Sequence, residues 1–510
     1  MRVLAFTVAS LASVGVLALC SQKCGIIGNE TPDSASEQCQ MDETGVSDDT
    51  SLLQVKVATL DAQAMHESQT SEASDSSCTD LHNQGSVFTA LVGVGTPRQS
   101  FHLVADTGSN ALIAPSCACV QRGFCKGSDG CFNSTQSESY TPYVLVENNE
   151  TSSQFGTLTY GSGSILVQTI SDMVQVADRK AFLKNGVYLM EDRRELMVGG
   201  VFQGILGLGL PDAVFSKDFP LWATNAGVPK YTICFNDDPV PGALVLNVPE
   251  LPNAMTNIGS VHWGLDMQGF SVGSAFEPVL FCNPSEKKAG MSTTCGGIPD
   301  SGTTFMLGPK DQIVLLYRSV CLSWPRCKAV RDSSSRDPAE IFQDLLYNCG
   351  DWMTAEKGVS EIPPIFLHLA GGDGRTQKFP LSSWSYIIET TVEEFKIVTE
   401  RVFKGLNIEL EFPTGKLTKT CQAAFSPMQY DTTSNGPVWI IGTPLFYEYT
   451  VGFNIGANPS EIAIIDTPCT KCKDRLGPKH AAFLDRGARL MPRFHKGPQR
   501  EPSYRVGPEL

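Results

Sequence analysis

Two short stretches carry the same chemistry. Asp106-Thr107-Gly108-Ser109 ends the strand-like run Phe101–Ala105, and Asp300-Ser301-Gly302-Thr303-Thr304 repeats the pattern 194 residues later. Two carboxylates brought close together cannot both ionise easily, so they share a proton. Such a pair acts as base and acid at once: one side takes a proton from water while the other gives one to a carbonyl oxygen. Gly108 and Gly302 lack a Cβ and let the two turns approach each other. The hydroxyls of Thr107, Ser109, Ser301 and Thr303 suit the task of holding the turns and orienting the carboxylates.

The repeat extends beyond the acids. Ile205-Leu206-Gly207 follows the first motif and Ile440-Ile441-Gly442 the second. Each half therefore reads as a carboxylate on a tight turn followed by a returning apolar strand, which predicts two β-rich lobes with a cleft between them. From about residue 81 to 470 the chain is rich in short β-type runs and turn signals. Helical patterning is confined to Pro220–Asn225, Gln312–Val320 and Pro338–Asn348.

These motifs, in this order, resemble the pepsin-like aspartic proteases over most of residues 84–467. Leu91-Val92-Gly93-Val94-Gly95-Thr96-Pro97 is similar to the family's first-lobe strand and turn. Leu158-Thr159-Tyr160-Gly161-Ser162-Gly163-Ser164 is similar to its flap, the β-hairpin that closes over substrate. Phe202-Gln203-Gly204-Ile205-Leu206-Gly207-Leu208-Gly209 and Trp439-Ile440-Ile441-Gly442 match two further signatures. The resemblance implies an all-β, bilobal fold with few short helices and a central cleft. It implies an endopeptidase in which a water between Asp106 and Asp300 attacks the peptide carbonyl, with no cofactor and no metal. Gly108, Tyr160, Gly161, Ser162, Gly302, Thr303 and Thr304 would line the substrate cleft, with Thr107, Ser109 and Ser301 supporting the pair. The lobes would run from 81 to 257 and from 258 to 470.

The sequence departs from the family pattern at two places near the acids. Seven residues after Asp106, where pepsins carry a tryptophan that supports the flap tyrosine, stands Ile113; memapsin-like and plasmepsin V-like members share that loss. Pro299 directly precedes Asp300, and a proline there removes a backbone donor and fixes φ, which argues for altered or reduced activity.

The termini set the compartment. Arg2 followed by the apolar run Val3–Leu19 and Ala18-Leu19-Cys20 reads as a secretory signal peptide over residues 1–20. Residues 21–80 are acidic and poor in apolar side chains, a leader or pro-segment unlike the basic pepsin pro-segment. Residues 471–510 form a basic, proline-containing tail. No later run is long enough to span a bilayer, so no membrane anchor remains after signal removal. The formal net charge of -15 leaves no basic footprint for nucleic acid. The expected product is a monomer acting on polypeptides, either secreted or in the lumen of an acidic or secretory organelle.

The 17 cysteines also favour an oxidising compartment. Cys117, Cys119, Cys125 and Cys131 cluster after the first motif, in an insertion resembling the Cys-rich one of nepenthesin-like and plasmepsin V-like members. Disulfides are favoured there over a metal site. Cys282 is paired with Cys295, Cys349 and Cys421 look like the family's last C-lobe bridge, and Cys321 and Cys327 close a small loop. Cys469 and Cys472 read as a bridge at the domain's end, and partners for Cys24, Cys39, Cys78 and Cys234 stay open. Asn29, Asn133 and Asn149 begin glycosylation sequons.

Two rival functions have sequence support. Gly269-Phe270-Ser271-Val272-Gly273 matches a nucleophile elbow, but the following Ser274-Ala275-Phe276-Glu277-Pro278 is a poor helix start. A catalytically weak or inactive binding protein on the same fold is the second; intact acids and glycines in both motifs weigh against it. Trp263 reads as core at the lobe junction.

Overall fold

A computed structural model describes residues 77–472, apart from 127–129, 148–149, 197–201, 212–220, 238 and 404–405. All of these belong to the unit Glu72–Leu510. The signal peptide, nearly all of the leader, the tail beyond Cys472, and Asn29, Asn149, Cys24 and Cys39 lie outside the described residues.

Among the described residues the strands form two large sheets, of 14 and eight strands. In the first, alternation does the building. Phe101 and Leu103 point inward along Gln99–Asp106 while Ser100 and His102 face outward, and the strand pairs antiparallel with the apolar run Phe88–Val94. The eight-stranded sheet repeats the plan around Gly296–Pro299, which lies between Leu265–Val272 and Gly436–Ile441. The mostly-β, two-lobed expectation is met.

The sheets are not divided at residue 257. Thr450–Asn454 and Glu461–Ile465 return to the first sheet, where Thr450–Asn454 pairs with Lys230–Cys234. That return brings the end of the folded chain beside its beginning. Cys469 is bonded to Cys234 and Cys472 to Cys78, so the expected Cys469–Cys472 bridge does not form. The first strand, Ser77–Asn83, starts inside the segment read as leader and pairs with Gly242–Leu246.

The other cysteine readings hold. Cys282–Cys295, Cys321–Cys327 and Cys349–Cys421 are bonded, and the four clustered cysteines form Cys117–Cys131 and Cys119–Cys125. Helices occupy Lys310–Ser323 and Pro338–Tyr347, the second capped by Asp337, whose carboxylate accepts from Ala339 N–H at 2.8 Å. A third helix, Pro325–Asp332, is too short and polar to show a periodic apolar face in sequence. Proline at its first turn and the Cys321–Cys327 bridge fix it beside its neighbour.

At the lobe junction Trp263 is fully buried and lies 5.0 Å from Phe453, centroid to centroid, with Phe453 stacked on Tyr231. This is the core role expected of it.

Candidate active site

Each acid sits where a buried strand runs out into a turn. Asp106 ends Gln99–Asp106, which pairs in parallel with Ile205–Gly207. Asp300 follows Gly296–Pro299, which pairs in parallel with Gly436–Ile441. The returning glycines are needed because the acid turns pass directly over them. A Cβ on Gly207 would come within 2.6 Å of the Asn110 Cα, and one on Gly442 would run into the carbonyls of Thr303 and Phe305.

The two turns are bonded to each other crosswise. Thr107 N–H donates to Ser301 Oγ and Ser301 N–H to Thr107 Oγ1, both at 3.0 Å. The hydroxyls then donate across the junction, Thr107 Oγ1 to the Pro299 carbonyl at 2.9 Å and Ser301 Oγ to the Ala105 carbonyl at 2.6 Å. Thr107 and Ser301 are fully buried, so these bonds are shielded from competing water. What this frame takes from Pro299 is its carbonyl, which proline keeps. The lost N–H that made Pro299 suspect is not one of these four bonds.

The carboxylates are held alike. Asp106 Oδ1 accepts from Gly108 N–H at 2.9 Å and Oδ2 from Ser109 Oγ. Asp300 Oδ1 accepts from Gly302 N–H at 2.8 Å and Oδ2 from Thr303 Oγ1 at 2.6 Å. Both acids are buried, and each glycine lies against the opposite acid: a Cβ on Gly108 would stand 2.6 Å from the Asp300 Cγ. Burial, first, and the neighbouring Asp300 charge push the Asp106 carboxyl far above the usual carboxylate range, against the opposing pull of Ser109 and Gly108.

That shift has a stability consequence. In the unfolded chain the carboxyl releases its proton near pH ~3.9. The folded protein keeps the proton to higher pH, so stability falls as pH rises above that point. Asp106→Asn removes the ionisable group and leaves an amide of the same shape. The variant should melt about 2–4 °C above wild type at pH 7 and match it at about pH 3, measured by thermal denaturation.

The flap is the hairpin of Phe155–Tyr160 and Gly163–Val176, closed by the two-residue turn Gly161–Ser162. Gly163 is at φ 129°, and a Cβ there would collide with the Glu195 carbonyl, so the hairpin needs this glycine. Burial and then the Asp106 charge raise the Tyr160 phenol, and its ring packs against the apolar cluster that includes Ile113 and Tyr188. Tyr160 is not left alone by the missing tryptophan. Ile113 is buried and pairs with Tyr188 on Arg179–Asp192. Tyr188 is the next group acting on Tyr160, and burial pushes its own phenol up to about 12. Nothing in the local sequence links Tyr188 to position 113; the strand register does.

Thr304 is buried, unlike the half-buried Gly302 and Thr303, and its hydroxyl donates to the Ser86 carbonyl at 2.6 Å, across to the first lobe. Sequence reasoning also missed His262, whose Nδ1 lies 2.9 Å from the Gly108 carbonyl. Asn133 caps a short 3-10 turn, its Oδ1 accepting from Thr135 N–H at 3.1 Å.

The nucleophile-elbow match dissolves. Ser271 lies within the strand Leu265–Val272, fully buried, and its hydroxyl bonds to His368 Nε2 at 2.8 Å. Substrate cannot reach it. No group of three or more candidate metal ligands occurs among the described residues, and no described helix is long and apolar enough to cross a membrane.

Comparison with known proteins agrees with this geometry. The family model for eukaryotic aspartyl proteases matches residues 87–465. Mouse cathepsin E is 26% identical over 45% of this chain and 55% of its own length. Mouse renin-2 is 23% identical over 71% of this chain and 76% of its own. Procardosin-A from Cynara cardunculus is 24% identical over 50% of this chain and 49% of its own. The chain thus spans about half the length of two of these relatives and about three quarters of the third.

Proposed function

The chain belongs to the eukaryotic aspartyl protease family, and from that premise we propose that it is an endopeptidase using Asp106 and Asp300 as a proton-sharing pair. The observation that carries the reading is the crosswise frame of Thr107 and Ser301, which holds two buried carboxylates each against the other's turn. Polypeptide would lie extended beneath the flap, as strands dock on a hairpin edge.

One ionised carboxylate takes a proton from water as its oxygen bonds to the peptide carbonyl carbon. The protonated partner gives its proton to the carbonyl oxygen. The carbon–nitrogen bond then breaks as one acid gives its proton to the nitrogen and a hydroxyl of the diol returns its proton to the other, so an amine and a carboxylic acid leave and the pair again holds one proton. No covalent intermediate forms, and the shared proton belongs to the pair rather than to either acid. The binding-protein alternative drew on Pro299 and Ile113. Against it stand the Pro299 carbonyl in the frame and Tyr188 beside the flap tyrosine.

A body carrying seven disulfides among its described residues suits an oxidising compartment, which supports a secretory route. The test is cleavage of an unfolded protein substrate across pH. Activity should be blocked by a pepstatin-type inhibitor, untouched by serine-directed reagents, and fall at least tenfold between about pH 5 and about pH 9 as the pair loses its proton. A profile flat over that range, or inhibition by serine reagents alone, would overturn the proposal.

A further inference from the structure

We infer that His262 is a positioning residue for the first acid turn, its imidazole anchoring the Gly108 carbonyl. The inference rests on the endopeptidase reading for its kinetic consequence, but its geometry is independent of that reading.

His262 lies in a rigid connector. The Asn257 side chain accepts from Gly259 N–H at 3.1 Å and Gly264 N–H at 2.8 Å, and donates to the Gly259 carbonyl and Ser460 Oγ, both at 2.9 Å. Ile258 N–H closes the loop onto the Gly264 carbonyl at 2.9 Å, and Gly259 has no room for a Cβ against the His262 carbonyl. The loop is then fixed to the Asp106 region at two points. The Trp263 indole donates to the Leu208 carbonyl at 3.0 Å, and Leu208 N–H donates to the Asp106 carbonyl at 2.7 Å. The second point is His262 Nδ1 at the Gly108 carbonyl, 2.9 Å away.

A carbonyl only accepts, so Nδ1 carries a hydrogen. Neutral imidazole supplies it in one tautomer and imidazolium in its only form, so the bond survives in either charge state. The Gly108 residue it holds touches both acids: its N–H donates to Asp106 Oδ1, and its Cα lies against Asp300. Ser109, one residue on, donates to Asp106 Oδ2. Anchoring Gly108 therefore sets two bonds that favour the ionised carboxylate and the approach of the pair.

The test uses His262→Leu and His262→Asn in the full chain; asparagine places an amide N–H near the position of Nδ1. Losing one such bond should lower kcat of the Leu variant about fivefold, with KM within about twofold. The Asn variant should stay within about twofold of wild type in kcat. Carboxyl 13C NMR, which needs no turnover, should show the Asp106–Asp300 pair titrating at higher pH in the Leu variant and unshifted in the Asn variant. Asp300 is the titratable group that raises Asp106, the Asp106 charge in turn acts on Tyr160, and neither variant changes either residue. In the wild-type protein, 15N NMR of the imidazole should show a protonated Nδ1 throughout. A neutral ring protonated only at Nε2 would overturn the inference without any variant. So would wild-type kcat and titration in the Leu variant, or equal losses in both variants. A wild-type protein that cleaves nothing would remove the endopeptidase reading, while the two NMR measurements would still decide the role of His262.

Discussion

Asp300→Asn should lower kcat on an unfolded protein substrate at least ~10³-fold while leaving the fold and KM nearly unchanged. The substitution is as close to isosteric as protein chemistry allows. The Asn Oδ1 can still accept from Gly302 N–H, which donates to Asp300 Oδ1 at 2.8 Å. The amide nitrogen takes the place of Oδ2, where Thr303 Oγ1 lies at 2.6 Å and can rotate from donor to acceptor. The crosswise bonds of Thr107 and Ser301 do not involve the substituted side chain. What is lost is a group able to take or give the proton, and with it both halves of the acid–base exchange. General acid–base catalysis contributes roughly 10²–10⁴ for one group, and one missing carboxyl disables the base and acid roles together. The measurement is kcat and KM for purified wild type and variant at acidic pH, with melting curves to show equal folding. Equal cleavage by both would exclude the proposed mechanism.

Much of this site was legible because residue type alone encodes it. An acid beside a hydroxyl and a glycine, written twice, already specifies a turn, a proton carrier and a close approach. The structure adds that each glycine faces the opposite acid. Contacts that depend on topology were not legible. Cys469 and Cys472, with two residues between them, look like a local pair. Only the return of Thr450–Asn454 to the first sheet brings them to Cys234 and Cys78. Tyr188 reaches the flap tyrosine through strand register beside Ile113. His262 reaches Gly108 through a connector that has no motif. Pro299 illustrates a sound general rule meeting a particular site: proline costs a donor, and this frame draws on an acceptor.

The close approach yields the second large effect. A Cβ added at Gly302 would overlap Asp106 Oδ1 and stand 2.7 Å from its Cγ. Asp106 cannot swing aside freely, because Gly108 N–H and Ser109 Oγ hold its two oxygens. The clash must instead push the acid turns apart. Gly302 is not among the residues with positive φ, so alanine brings no backbone strain and the fold should survive. Gly302→Ala should therefore cost activity at least ~10²-fold, the scale of a misplacement near 1 Å, with a modest loss of Tm. Gly156→Ala is the matched control, since a Cβ there meets nothing within 4 Å. The same variant tests the electrostatics. Separating the acids weakens the Asp300 repulsion that helps hold a proton on Asp106, so the pair should titrate at lower pH in Gly302→Ala by carboxyl 13C NMR. A variant that kept both its activity and its titration would mean that the acids do not depend on mutual contact, and a shared proton would then have no physical basis.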